Sequence, residues 1–222
     1  MDFRQEFIEF ALAQNVLRFG EFKTKAGRLS PYFFNAGLFN DGAALDRLSQ
    51  FYAKAILANG LEIDMLFGPA YKGIPLVAVS ALALAQAGRN LPFAFNRKEV
   101  KDHGDTGILL GSKLKDGDRV VMIEDVTTSG KSIEETFPII KAQADVEIKG
   151  LMVSLNRMER GLSSDKSALH EIKEKYGIDA RAIVNMDEVV EHLYNRPCQG
   201  QVVIDDEIKK AIDAYYKEYG AR

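Results

Sequence analysis

Short apolar runs alternate along this chain with longer segments whose apolar residues recur at helical spacing, and the alternation predicts strands and helices in turn. The first amphipathic segment covers 2–19, where Phe3, Phe7, Phe10, Ala11 and either Val16 or Leu17 fall near one face, with Gly20 as the expected stop. Residues 21–40 read as strands and turns, with a break at Ser30-Pro31 and an aromatic run at Tyr32, Phe33 and Phe34. A helix is expected over 43–59, closed by Asn59-Gly60. The pattern then becomes regular: strand 65–67 and helix 74–87, then strand 93–96 and a long polar stretch. Strand 119–124 leads to helix 131–143, strand 148–155 to helix 167–176, and strand 180–184 to helix 186–193, with a last helix over 205–219. Such alternation predicts an α/β fold with a parallel, doubly wound sheet flanked by helices, whose ligands bind at the carboxyl ends of the strands.

The stretch 120–132, VVMIEDVTTSGKS, carries the most chemistry. Its apolar run (Val120, Val121, Met122, Ile123) is that of a buried parallel strand. The strand stops at Glu124 and Asp125, and Val126, Thr127, Thr128, Ser129 and Gly130 form a small hydroxyl-rich turn before a helix opening with Lys131 and Ser132. Unpaired first-turn N–H groups and the helix dipole make that place suitable for an anion. Two carboxylates beside it suit sugar hydroxyls or a hydrated cation, so a phosphorylated sugar fits both halves. A nucleotide-triphosphate loop is excluded, because Asp125 stands where that motif needs its first glycine. The run 68–73 has the glycine spacing but continues with Ile74 and Pro75, and no GxGxxG fingerprint occurs.

Three other segments belong with it. In 67–73 (FGPAYKG) two glycines let the backbone approach a ligand and Lys72 adds a point charge; the plain alternative is an ordinary strand-to-helix turn. In 96–104 (NRKEVKDHG), Arg97, Lys98, Lys101 and His103 crowd one part of a non-helical stretch of about 20 residues, longer than most connections. A solvated charge run is the plain reading; a cationic flap over a phosphate leaving group is the sharper one. The third constellation pairs 23–35 (KTKAGRLSPYFFN) with 154–161 (SLNRMERG), where Arg157 could meet a carboxylate bidentately. Phe33 and Phe34 there are either core or a stacking platform.

Composition narrows the setting. Across 222 residues there are 29 basic and 32 acidic side chains, for a net charge of −3, which does not favour nucleic acid as a partner. One cysteine, Cys198, excludes intramolecular disulfides and fits a reducing compartment; with no second cysteine or histidine near it, it reads as structural or inert. His170 and His192 fall in helices away from the motifs and read as surface residues. No apolar run approaches the ~20 residues of a membrane span, and the first residues, MDFRQEF, lack a leader pattern, so the expectation is a soluble cytoplasmic protein.

The acid–hydroxyl turn resembles the phosphoribosyl pyrophosphate (PRPP) motif of the type I phosphoribosyltransferases, with Glu124 where many members have a second aspartate. The runs 25–35, 70–73, 97–104 and 154–161, in that order, resemble the orotate branch of the family, over about residues 3–165. The resemblance implies the type I fold with a small N-terminal hood, in one domain over 1–222, in which 1–40 contribute the hood and base site and 60–165 the PRPP-binding core. It implies that Lys25, Tyr71, Lys72, Arg97, Lys98, Lys101, His103 and the run from Glu124 to Ser132 contact PRPP. Phe33, Phe34, Thr128 and Arg157 then meet orotate, and Lys101, His103, Glu124 and Asp125 take part in catalysis. Mg²⁺, held mainly by substrate oxygens and water, would assist, and a homodimer would share the 97–111 flap between subunits. The rivals are a transferase for another base, which should lack the 25–35 and Arg157 elements, and a PRPP-sensing regulator, for whose nucleic-acid module the chain has no spare length. Residues from Ser163 onward carry no motif.

Overall fold

A computed structural model describes residues 2–24, 27–101, 107–127, 130–161 and 164–221, with only the main chain of Val100 and Lys101. Helix α1 (Phe3–Ala13) ends well before the expected position 19. Asn15 adopts the left-handed region (φ 55) and the Val16 N–H turns back to the Ala11 carbonyl, which reverses the chain. Val16 and Leu17, assigned by spacing to the helix, are instead buried at the start of strand β1 (Leu17–Lys23). That strand pairs antiparallel with β2 (Leu29–Phe34), Leu17 facing Phe34 and Lys23 facing Leu29. Neither Gly20 nor Ser30-Pro31 interrupts the chain. The register shifts between Phe19 and Phe22, so Gly20 (φ 143) and Glu21 oppose Pro31, and the residue with no N–H sits where the ladder makes no demand for one.

Helix α2 (Gly42–Ala58) leads to β3 (Met65–Gly68), α3 (Gly73–Gln86), β4 (Phe93–Lys101) and β5 (Gly107–Gly111). Then follow β6 (Arg119–Ile123), α4 (Lys131–Lys141), β7 (Glu147–Asn156), α5 (Ala168–Tyr176), β8 (Asp179–Asn185) and α6 (Met186–Leu193). A two-residue-per-strand hairpin, β9 (Pro197–Cys198) with β10 (Gln201–Val202), precedes α7 (Asp206–Tyr219). The main sheet has the order β5-β4-β3-β6-β7-β8. Its β4-β3-β6-β7-β8 neighbours are parallel, and β5 is an antiparallel edge. The polar stretch after Asn96 is thus in part a ribbon: β4 runs on to Lys101 and folds back on β5, with Lys101 opposite Gly107. The α/β class, the central parallel strands and the flanking helices are as expected; the antiparallel edge and the N-terminal hairpin are additions that periodicity did not reveal.

Alternation along β6 explains the two-sided packing. Val121 and Ile123 enter one core with α1, α2, α3 and α6, while Val120 and Met122 enter the other with Ile133 and Ile140 of α4 and Leu169 and Ile172 of α5. A sheet buried on both faces leaves its strand ends as the place where polar groups can meet solvent and ligand. Among the described residues no helix is long and apolar enough to cross a membrane.

Candidate active site

Glu124 and Asp125 follow directly on β6, and the neighbouring strand holds them. The Glu124 N–H donates to the Met152 carbonyl (3.0 Å). The Ser154 N–H (2.8 Å) and hydroxyl (2.5 Å) both donate to the Asp125 carbonyl, and the buried Tyr52 hydroxyl donates to that of Glu124 (2.7 Å). Every main-chain oxygen here is satisfied, so the acids stand on rigid backbone. Their residues are only 5% and 6% exposed. Burial, reinforced by the charge of Asp125, pushes the Glu124 carboxyl up to about 7, while a Ser132 hydroxyl hydrogen bond and Lys72 oppose the rise. Lys72, exposed at the loop after β3, places its Nζ 2.6 Å from Asp125 Oδ2.

That loop is set by glycine. A Cβ on Gly68 would lie 2.3 Å from the Gly73 carbonyl oxygen, and one on Gly73 would lie 2.8 Å from that of Ile123. Only bare backbone lets the ends of β3 and β6 come so close. The Ala70 N–H donates to the buried Asn96 side chain (3.0 Å), tying the loop to β4, and the Ala70–Tyr71 peptide is cis. On the far side Gly130 (φ 67) donates its N–H to Thr127 Oγ1 (3.0 Å) and opens α4, whose first turn carries Lys131 and Ser132. Tyr71 is exposed, with Lys98 Nζ 5.9 Å from its ring centroid. Glu135 accepts from Lys98 (3.4 Å) and forms an ion pair with Lys131 (3.8 Å), and Arg97 donates to the Gly107 carbonyl within the ribbon.

A single cleft of about 470 Å³ runs from these acids to the hood, lined among others by Lys72, Asp125, Val126, Thr127, Phe33, Phe34 and Arg157. Phe33 and Phe34, consecutive on β2, point to opposite faces: Phe34 is buried in the core, while Phe33 stacks on Phe22 (5.5 Å between centroids) with the Arg18 guanidinium 5.4 Å from both rings. Arg157 follows β7, and its Nε and Nη2 donate to Glu159 Oε1 (3.0 and 2.8 Å). Burial opposes the charge of Arg157, but the Tyr32 and Glu159 oxygens outweigh it and hold its pKa above the usual value. The sequence-chosen Tyr71, Lys72, Glu124, Asp125, Val126, Thr127, Gly130, Lys131 and Ser132 are thus brought to one end of the sheet, with Arg97 and Lys98 on the adjoining ribbon. Lys25, His103, Thr128, Ser129 and the Lys101 side chain lie outside the described residues.

The family model described as "Phosphoribosyl transferase domain" matches residues 38–196. Orotate phosphoribosyltransferases of Lachnoclostridium phytofermentans (58% identical over 220 residues, 98% of this chain and 97% of that one) and Agathobacter rectalis (60% over 223 residues, 99% of both) align end to end. The chain belongs to the orotate phosphoribosyltransferase family. A solved orotate phosphoribosyltransferase from Francisella tularensis superposes with a TM-score of 0.86 at 38% identity, over 97% of this chain and 100% of that one. The fold alone is shared with the Mycobacterium tuberculosis orotate phosphoribosyltransferase solved in complex with PRPP (18% identity, TM-score 0.61, 84% of this chain and 98% of that one).

The runs 25–35 and 154–161 contain Arg28, Tyr32 and Glu159 without singling them out as the frame of Arg157, and Tyr216 lies outside every motif. Tyr32 donates to Glu159 (2.6 Å), Arg28 sits 3.7 Å from the same carboxylate, and Tyr216 of α7 donates to the Arg157 carbonyl (2.6 Å). From the segment mute by motif, Ser167, Ala168 and Leu169 line the cleft, and Tyr216 holds the Arg157 main chain from behind. The signal available was the spacing of Ile208, Ile212, Tyr215, Tyr216 and Tyr219, an apolar and aromatic stripe on a helix with a charged opposite face. His192 is a correction: its side chain is only 14% exposed and its Nε2 lies 3.1 Å from Glu9, joining α6 to α1 instead of facing solvent. His170 is exposed beside Glu174, and Cys198 is buried, its thiol pushed up by desolvation.

Proposed function

We propose that the chain catalyses Mg²⁺-dependent transfer of the 5-phosphoribosyl group from PRPP to orotate, giving orotidine 5′-monophosphate and pyrophosphate, a step of de novo UMP synthesis. The observation that carries this reading is the single cleft joining Asp125 and Lys72 at one end to Arg157 and the hood at the other. It offers an anion- and sugar-binding end and a carboxylate-binding end within one substrate's reach.

In this reading the turn from Val126 to Ser132 wraps the 5′-phosphate, where Gly130 opens α4 and the helix N-terminus favours an anion. Glu124 and Asp125 hold the ribose hydroxyls. Tyr71, Lys72, Arg97, Lys98 and Lys25 receive the phosphate oxygens, and Lys101 and His103 join them from the flap. Arg157 reads the orotate carboxylate while Phe33 and Thr128 seat the ring, with Phe34 supporting the cleft wall from the core side of β2. The N1–C1′ bond forms as the C1′–O bond breaks with its electrons going to pyrophosphate, and the orotate N1 proton is taken up by the departing pyrophosphate. Positive charge grows on the ribose and is eased by the buried carboxylates; negative charge grows on the leaving group and is met by Lys72, Lys101 and His103. No covalent nucleophile is needed.

The donor set suits Mg²⁺ of one kind only. Glu124 and Asp125 are hard oxygen donors, yet among the described residues no group of three or more His, Cys, Asp or Glu could hold a metal. The ion would be held mainly by substrate oxygens and water, and would supply charge neutralisation at the pyrophosphate.

A homodimer and a cytoplasmic setting belong to the same proposal. Helix α3 carries no charged residue, and its Leu82 is 60% exposed, as expected of a face covered by a second copy. The 97–111 ribbon then lends its cations to the neighbouring site. Orotate absorbance should fall only when PRPP and Mg²⁺ are both present, with uracil and adenine inert in parallel. Turnover of another base instead would discard the Arg157 assignment.

A further inference from the structure

Arg157 is held from three sides by groups that touch no part of the acid–hydroxyl turn. Its Nε and Nη2 are both given to Glu159 Oε1. That same oxygen accepts the Tyr32 hydroxyl (2.6 Å), and the Tyr32 ring lies 4.9 Å below the guanidinium. The Tyr216 hydroxyl donates to the Arg157 carbonyl (2.6 Å) and stands 3.2 Å from that of Tyr32. The main chain repeats the tie: Arg160 N–H donates to the Tyr219 carbonyl (2.8 Å) and Ala221 N–H to that of Met158 (2.9 Å), so the end of the chain lies along 158–160 as a short antiparallel strap. Arg28 closes the group, 3.7 Å from Glu159 Oε2 and 4.8 Å from the Tyr219 ring centroid. The side chains of Arg157, Glu159 and Arg28 are 14%, 12% and 15% exposed.

The charges do not cancel: two guanidinium groups share one carboxylate. One positive charge is left beside the cleft, which is the complement of a single carboxylate on the incoming base. A guanidinium with two donors already committed has one orientation, so the ligand does not have to order it.

We propose that Glu159 and Tyr216, the latter supplied by the C-terminal helix, are positioning residues that aim Arg157 at the carboxylate of the base and so set the preference for a carboxylated pyrimidine. This rests on the reading of Arg157 given above. It assigns the last helix a task in substrate selection instead of mere cover for the hood.

The test is steady-state kinetics of the full-length protein with four variants. Tyr216→Phe keeps the ring and removes the donor; the KM for orotate should rise about fivefold to tenfold, the loss of one good hydrogen bond. The KM for PRPP, kcat and the inhibition constant of uracil, which lacks the carboxylate, should stay within about twofold. Glu159→Gln should raise the orotate KM further. Lys209→Ala, which breaks an exposed pair on α7, should change neither KM. An orotate KM that falls in Glu159→Gln would overturn the proposal, because Glu159 would then compete with the ligand. Parallel losses for orotate, uracil and PRPP in Tyr216→Phe would also overturn it, leaving only a structural helix. Arg157→Lys separates the two levels: no change in orotate KM discards the underlying reading, whereas a large rise with Tyr216→Phe and Glu159→Gln unchanged discards the positioning roles alone.

Discussion

The two ends of the cleft are built in opposite ways. The Asp125 end comes from contiguous stretches, 68–73 at the end of β3 and 124–132 after β6; glycines at a close crossing shape the first, and Gly130 in the left-handed region the second. The Arg157 end joins two runs far apart in the chain, 25–35 and 154–161, to a helix that carries no motif. It is assembled from β2, the segment after β7 and the C-terminal helix; Tyr32 and Glu159 are 127 positions apart and Tyr32 and Tyr216 are 184 apart. Chemistry common to many phosphorylated sugars can be carried by a strand-end loop. Selecting one base needs a charge aimed by partners from several places.

If that contrast is right, damage at one end leaves the other readable. The largest effect is expected from Asp125→Asn: kcat lower by about 10²–10³-fold, as for loss of one preorganised charge, with orotate affinity in the presence of a PRPP analogue held within a few-fold. An equal loss of orotate affinity would show that the ends are not separable. Gly68→Ala comes next, because its Cβ meets the Gly73 carbonyl at 2.3 Å. Urea unfolding should show a loss of about 2–4 kcal/mol, and a value under about 0.5 would mean that the crossing relaxes freely.

Glu124 gives a smaller, pH-dependent effect. Its folded pKa of about 7 lies above the ordinary 4.5, so between those values the folded chain keeps a proton that the unfolded chain has lost. Stability therefore falls as pH rises through that window, and the whole penalty is present above about 7. Thermal unfolding of Glu124→Gln should gain on the parent from pH 5 to 8, while PRPP affinity drops; a constant difference across that range would refute the assignment of the shift. The smallest change is that of Lys209→Ala, a few tenths of a kcal/mol in stability from one exposed helical pair, with kinetics untouched.

How much of this could be read beforehand follows from the range of each interaction. The strand of Val120 to Ile123, the acids after it and the glycines at 68, 73 and 130 were all legible, because burial on both faces and close backbone approach leave local marks. The extent of α1 was not: Val16 and Leu17 continue its spacing, but Asn15 reverses the chain and pairing with Phe34 offers them a better place. The pairing of β4 with β5 was hidden because the charged residues of β4 look like a loop until β5 supplies the partner strand.

By itself the chain determined an α/β architecture, the order of its parallel strands and helices, and the loops in which acids, hydroxyls and glycines stand together. Those features depend on periodicity and on backbone sterics, which act over a few residues. The tertiary structure alone decided that Arg28 and Tyr32 of the N-terminal hairpin reach Glu159, and that Tyr216 reaches the Arg157 carbonyl from the last helix. A buried charge takes whichever partner the packing of distant elements brings within about 3 Å, and nothing in the spacing of residues along the chain records that choice.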